Sequence, residues 1–304
     1  MTVKAVDLFS GLGGFSQAAT MAGCKVVWAA NHWPQAVQVH AMNHPDTQHA
    51  CQDLQQADWS QVPKMDILLA SPACQGHSRA RGADKPHHDV QRTTAFAVVA
   101  ALEYHRPKLG LVENVPEFLQ WQLYPVWKEA LRTLGYAVNE QIIDAADHGV
   151  PQNRLRAFIV LSRSKKPLQV DLPRLQHKPA SGVIDMRAGK WSLIDRPGRA
   201  AATLAKVAEG RRQHGRQFLI AHYGNSKGGR SLHRPIGTIT THDRYGIING
   251  NRMRLPSKEE TRALMGFPPT YKLPDNHRLA IHMLGNAVCP PPAANLIRAI
   301  IERA

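Results

Sequence analysis

Val3-Lys4-Ala5-Val6-Asp7-Leu8-Phe9-Ser10-Gly11-Leu12-Gly13-Gly14-Phe15-Ser16 is the stretch from which the fold is read. The apolar run over 3–9 has the composition of a buried strand. It breaks at a serine and three glycines, and 15–21 resumes with helical spacing. A strand that turns through glycines straight into a helix starts a βαβ unit. The pattern then repeats. Strands are expected over 25–30, 65–70, 108–113, 137–143 and 156–161, and helices over 35–42, 93–105 and most of 116–134, ending at Gly135. Such alternation predicts an α/β fold with a doubly wound, mostly parallel, Rossmann-like sheet. Ligands of these sheets bind beyond the carboxyl ends of the strands, so chemistry is to be sought there.

After Arg163 the texture changes. Residues 164–179 carry Lys165, Lys166, Arg174 and Lys178 among three prolines and read as an irregular arm. A basic helix is expected over 200–212, a Gly/Ser-rich basic loop over 223–231, a capped helix over 256–265 and a closing helix over 293–302. Charge follows the same division. Residues 1–163 hold 14 Lys+Arg and 14 Asp+Glu, whereas 164–304 hold 24 and 9, so the whole net charge of +15 lies in the second part. That split fits chemistry in the first part and polyanion binding in the second; a merely solvating basic surface is the plainer alternative.

Composition also excludes classes. With 43% hydrophobic residues the chain is not a disordered tail. It has no apolar run of about 18 residues and therefore no expected membrane span. The first residues lack the features of a secretory leader, which favours a reducing cytoplasm. Cys24, Cys51, Cys74 and Cys289 include no C-x-x-C pair, so neither a zinc site nor a disulfide framework is expected, and no metal.

Five segments lie at the ends or starts of the expected strands. Gly11-Leu12-Gly13-Gly14 lacks the G-x-G-x-x-G spacing, which argues against a nicotinamide oxidoreductase. Ala30-Asn31-His32-Trp33 ends the second strand, where such folds grip a ribose. Ser71-Pro72-Ala73-Cys74-Gln75-Gly76-His77-Ser78 follows the strand at 65–70. A lone cysteine is more often an inert core thiol, but one set among Pro, Gly and polar residues is a poor packing residue. Beyond it Arg79, Arg81, Lys85 and Arg92 suit a loop that closes over a polyanion. Glu113-Asn114-Val115 places a carboxylate at another strand end, a capping or surface residue if read alone. In Gln152-Asn153-Arg154-Leu155-Arg156 the two arginines alternate, so on a strand they share a side and can brace a base and a carboxylate together.

Taken in order from Asp7 to Val288, these segments resemble the motifs of the cytosine C5 methyltransferases. Asp7-Leu8-Phe9-x-Gly-x-Gly-Gly is similar to the family's cofactor turn, the segment around Cys74 to its P-C-Q motif, Glu113-Asn114-Val115 to E-N-V, and 152–156 to Q-x-R-x-R. Arg234-Pro235-Ile236-Gly237-Thr238-Ile239-Thr240 and Gly285-Asn286-Ala287-Val288 resemble the segments that lead back to the catalytic domain and close it. The resemblance implies S-adenosylmethionine as cofactor, held by Phe9, Ser10, Gly11, Leu12, Gly13, Gly14, His32, Trp33, Asp53, Leu54, Asn286 and Ala287, with Trp33 stacked on adenine. It implies Cys74 as covalent nucleophile, Glu113 on the ring N3 edge, Arg156 on O2 and Arg154 as orienting group.

Its partner would be double-stranded DNA with the target cytosine flipped out of the stack. The DNA would be met by Gln75, Ser78, Arg79, Arg81, Arg92, Arg187, Lys190, Arg211, Arg216, Lys227, Arg230 and Arg234. The implied domains are 1–163 plus about 283–304 for catalysis and about 164–282 for a small domain, with target recognition in about 164–232. A monomer on DNA is expected, with a separately encoded restriction endonuclease as companion, in the cytoplasm at the nucleoid or from a phage. Two departures stand out. His32 takes a place that is usually acidic, and Ala73 takes the place of a proline before the cysteine, which predicts a looser loop and slower chemistry. The rivals are an RNA cytosine methyltransferase of the same fold and a DNA-binding homologue with weak catalysis.

Overall fold

The computed structural model describes residues 2–73, 93–222, 226 and 228–304. Cys74, Gln75, Ser78, Arg79, Arg81, Arg92 and Lys227 lie outside the described residues. The chain forms two compact units. One comprises Met1–His148, Leu155–Arg174 and Ala287–Ala304, the other Gly149–Arg154 and Leu175–Asn286.

The first unit is built on seven strands: β1 (Lys4–Leu8), β2 (Lys25–Asn31), β3 (Gln48–Cys51), β4 (Ile67–Ala70), β5 (Leu109–Asn114), β6 (Ala137–Asp144) and β7 (Leu155–Ser162). They are ordered β3-β2-β1-β4-β5-β7-β6. The pairs β1–β2, β2–β3, β1–β4 and β4–β5 are parallel, and β7 runs antiparallel to both its neighbours. Position explains composition. The central strands β4 and β5 are buried throughout, β4 as an unbroken apolar run and β5 apolar up to Glu113-Asn114, whereas the edge strand β6 leaves Glu140 and Ile142 exposed.

Both faces of this sheet are covered. On one, α1 (Gly14–Met21) and the last helix, Pro290–Glu302, bring Phe15, Ala18, Ala19, Leu296, Ile297 and Ile300 onto the strands. Helix α2 (Pro34–Asn43) packs beside α1 on that same face, with His40 2.9 Å from Ser16, while on the other face α3 (Phe96–His105) and α4 (Tyr124–Thr133) contribute Val98, Leu102, Trp127 and Leu131. The helix expected over 116–134 is divided: Pro116–Gln120 is a short 3-10 turn, and α4 begins only at Tyr124. Past the boundary expected at Arg163 the chain still belongs to this unit, because Val170 is buried in the core and its carbonyl accepts the Gln141 side chain at 2.8 Å.

The second unit carries a small antiparallel sheet ordered β10-β9-β11-β12-β8, from β8 (Ser192–Leu193), β9 (Gln217–Ala221), β10 (Gly229–Arg230), β11 (Tyr245–Asn249) and β12 (Arg252–Arg254). The basic helix α5 (Ala201–His214) packs on it so closely at Gly210 that a side chain there would enter the Phe218 ring. Helix α6 (Lys258–Leu264) starts with a capping box between Ser257 and Glu260. Helix α7 (His277–Asn286) is present as well and was not anticipated. Among the described residues no helix is long and apolar enough to cross a membrane.

Candidate active site

The sheet order reverses between β1 and β4. The chain runs outward through β2 and β3, then returns to lay β4 on the other side of β1, in register Leu8 to Ala70. The ends of β1 and β4 therefore open side by side at a topological switch point, the usual ligand crevice of such sheets.

The turn after β1 is tightly specified. Phe9, Gly11 and Gly13 all have positive φ, at 59°, 54° and 105°. For Phe9 this is a strained state that only its surroundings can hold, and such states gather at binding sites. Ser10 provides the anchor, its N–H donating to the Ala30 carbonyl at 3.0 Å and its carbonyl accepting Gly13 N–H at 2.8 Å. A side chain on Gly14 would collide with the Val288 backbone, so the closing Ala287-Val288 segment seals this turn. Leu12 is buried beneath it.

A line of hydrogen-bonding groups runs under the turn. Asp7, fully buried, accepts Ser16 N–H at 3.0 Å and Ser16 Oγ–H at 2.7 Å. Ser16 Oγ is 2.9 Å from His40 Nε2, and His40 Nδ1 is 2.8 Å from His49 Nε2. The His44 ring lies tilted against the His40 ring, centroids 4.6 Å apart, and hydrogen-bonds the Gly13 backbone. Burial pushes the Asp7 carboxyl up to about 7. It pulls His44 down to about 4, helped by repulsion from His49, and it lowers His40 and His49 too. No local sequence pattern marks this group, because its members are spread over β1, α1, α2 and β3.

These residues fit S-adenosylmethionine. No Lys or Arg stands in 9–14, which suits a cationic sulfonium better than a phosphate. A side chain built on Gly11 would meet nothing closer than the Phe9 carbonyl at 4.0 Å, so bare backbone faces open space there. Beyond β2, Trp33 is half-buried and His32 exposed. The remaining expected contacts also carry structural roles. Asp53 accepts Gln55 N–H at 3.0 Å as a cap, Leu54 is 2% exposed within the core, and Asn286 lies in the second unit, 3.4 Å from His282 Nε2.

Beyond β4 the chain is held from two sides. The Asn114 side chain donates to the Pro72 carbonyl at 3.1 Å, and Ala73 N–H donates to Thr94 Oγ1 at 3.3 Å. At the end of β5, Glu113 is buried and its Oε1 lies 3.0 Å from Arg156 Nε. A buried carboxylate needs such a partner, and Arg156 from the antiparallel β7 supplies it.

Arg154 does something different. Strand β7 begins only at Leu155, so the alternation does not place both arginines on one strand face. Arg154 is 2% exposed in the second unit, donating at 2.9 Å to the carbonyls of both Ile239 and Gly285. Gln152, wholly buried, accepts Ile239 N–H at 2.8 Å and donates to the Leu264 carbonyl at 3.1 Å. Gly285 lies against the Thr240 backbone with no room for a side chain. Segments 152–154, 234–240 and Gly285 thus form one structural knot. Arg187, Lys190, Arg211, Arg216, Arg230 and Arg234 are all exposed in that unit. Arg211 is already engaged, donating to the Gly250 carbonyl at 3.0 Å and to Asn251 Oδ1 at 2.9 Å.

The profile of the family described as C-5 cytosine-specific DNA methylase matches residues 3–302. Type II methyltransferase M.NlaX of Neisseria lactamica is 28% identical over 312 residues, covering 99% of this chain and 95% of that protein. Type II methyltransferase M.HhaI of Haemophilus parahaemolyticus is 25% identical over 310 residues, covering 94% and 90%. The crystal structure described as a DNA modification methyltransferase encoded within an E. coli prophage superposes with a TM-score of 0.74 at 17% identity, covering 99% of each chain; that likeness is one of fold.

Proposed function

The chain belongs to the C-5 cytosine-specific DNA methylase family, and from that premise we propose that it methylates carbon 5 of a flipped-out cytosine in double-stranded DNA, with Cys74 as covalent nucleophile and S-adenosylmethionine as methyl donor. The buried Glu113–Arg156 pair at the end of β5, next to the Pro72-Ala73 segment that leads into Cys74, carries this reading.

Carbon 5 of cytosine is a weak nucleophile. The Cys74 thiolate adds to carbon 6, and the displaced electron pair moves onto the ring toward N3, where Glu113 shares a proton. Arg156 keeps that carboxylate in place and steadies O2. S-adenosylmethionine, held by 9–14 with Trp33 and His32, supplies an electrophilic methyl group when bound. A base, water included, then takes the proton from carbon 5, and the carbon–sulfur bond breaks to release Cys74. The exposed arginines and Lys190 of the second unit meet phosphates, and the stack must open because carbon 5 is not attacked inside a duplex. The enzyme acts as a monomer in the cytoplasm, with a separately encoded restriction endonuclease of the same specificity as companion.

The test is incubation with tritiated S-adenosylmethionine and either genomic DNA or tRNA, followed by base-resolution mapping. Methyl groups at carbon 5 in one short, recurring DNA context are the expected result. Label in tRNA alone would move the substrate to RNA, and no label in either would leave a DNA-binding homologue.

A further inference from the structure

The backbone before Cys74 carries a free donor that a proline would not have, and the structure shows where it goes. Ala73 N–H donates to Thr94 Oγ1 at 3.3 Å, while one residue earlier the Pro72 carbonyl accepts the Asn114 side chain at 3.1 Å. The acceptor stands on firm ground. The next residue, Ala95, is 1% exposed, and its carbonyl accepts the indole N–H of the fully buried Trp127 at 2.9 Å. On the other side the Gln55 side chain donates to Thr93 Oγ1 at 3.0 Å. Farther back, Ser71 N–H donates to the Leu8 carbonyl and Ser71 Oγ–H to the Phe9 carbonyl, each at 3.2 Å. Residues 71–73 are therefore tied at every position, to β1, to the end of β5 and to the segment that leads into α3.

We propose that Thr94 is a positioning residue for methyl transfer: its hydroxyl holds the Ala73 N–H and so supplies the restraint on the nucleophile's backbone that a proline ring would supply covalently. Proline restrains by fixing φ and removes the N–H. Alanine leaves φ free but keeps a donor, and one bond to a fixed acceptor narrows the same motion. Pro72 and Ala73–Thr94 together thus replace a single rigid residue. This alters the expectation of a loose loop: the restraint is present but resides in a side chain 21 residues away.

The inference rests on the reading of Cys74 as nucleophile, and a mutant cycle separates the two. Thr94→Val, Thr94→Ser, Ala73→Pro and the double variant Ala73→Pro/Thr94→Val are compared in single-turnover methylation of duplex DNA carrying the mapped target. Thr94→Val should slow the methyl-transfer step by about five- to tenfold, the kinetic worth of one neutral hydrogen bond, with the KM for S-adenosylmethionine unchanged. Thr94→Ser should keep nearly the full rate. In the Ala73→Pro background, where no donor exists, Thr94→Val should change the rate less than about twofold. Equal losses in both backgrounds, or a Thr94→Ser variant as slow as Thr94→Val, would overturn the proposal. If the unaltered enzyme methylates nothing, the functional reading fails, and amide exchange at Ala73 decides the bond. Exchange about tenfold faster in Thr94→Val upholds the restraint, and unchanged exchange removes it.

Discussion

The two units use charge in opposite ways. In the first, ionisable groups near the crevice are buried and paired: Glu113 with Arg156, and Asp7 with Ser16 above the histidine line. In the second, Arg187, Lys190, Arg216 and Arg234 stand in solvent, and the arginines that are buried serve the fold. Arg154 is bound to two carbonyls, and Arg254 to Glu260 at 2.6 Å beneath the Trp191 ring. A charge with a fixed partner can act on one bound group at a set place. An exposed charge can meet a polyanion in many registers. The lesson is sharpest at 154 and 156, two residues apart, where one arginine holds a carboxylate at a strand end and the other holds backbone.

Mutation can break this comparison at several depths. The largest effect is expected for Cys74→Ser, which should reduce methyl transfer by at least about a thousandfold while S-adenosylmethionine still binds by calorimetry. Near-normal turnover would remove the covalent step. Next come the arginines. Arg154→Ala should cost about 2–4 kcal/mol of stability by leaving two buried carbonyls unpaired, read as a fall in Tm. Arg156→Ala should instead lower kcat by about a hundredfold with a smaller loss of Tm. Similar behaviour of the two would erase the distinction drawn between them.

Smaller again is the effect of surface charge. Each of Arg187→Ala, Lys190→Ala and Arg216→Ala should leave Tm unchanged and reduce the slope of log affinity for DNA against log salt by about one. A salt slope that none of them alters would place the DNA elsewhere.

The mildest prediction concerns pH. Folding keeps His40, His44 and His49 neutral where the unfolded chain, with imidazole values near 6.5, would take up protons, so stability falls as pH drops from 6.5 toward about 4. Asp7 has the opposite sign. Its folded value near 7 lies above the unfolded 3.8, so the folded state keeps a proton that the unfolded state releases, and stability is gained on acidification through that range. Three imidazoles against one carboxyl give a net loss, so Tm should be flat above pH 7 and decline below 6.5. A Tm that rises on acidification would show the carboxyl to dominate.

Much of this was legible in the residues. The glycine turn, the alternation of strands and helices and the carboxylate of Glu113 at a strand end follow from local pattern, because each is decided within a few neighbouring positions. Arg154 was not legible. Its partners, Ile239 and Gly285, are 85 and 131 residues away, and the same-side argument assumed a strand that starts only at Leu155. Asp53 shows how one residue type serves two ends, since an acidic residue after a strand can cap the next turn, as it does here, and still face a ligand. Thr94 and the three histidines gave no signal because nothing in their own neighbourhoods marks what they touch. The exposed cations were found by composition, but composition does not say which of them face phosphate.

The meeting of Gly14 with the Val288 backbone joins two parts of the first unit that lie far apart in the sequence. The turn after β1 is completed by a segment from far along the sequence, and α1 packs against Pro290–Glu302. A chain cut before Ala287 would lack the backbone against which Gly14 is seated, and with it the closure of the turn.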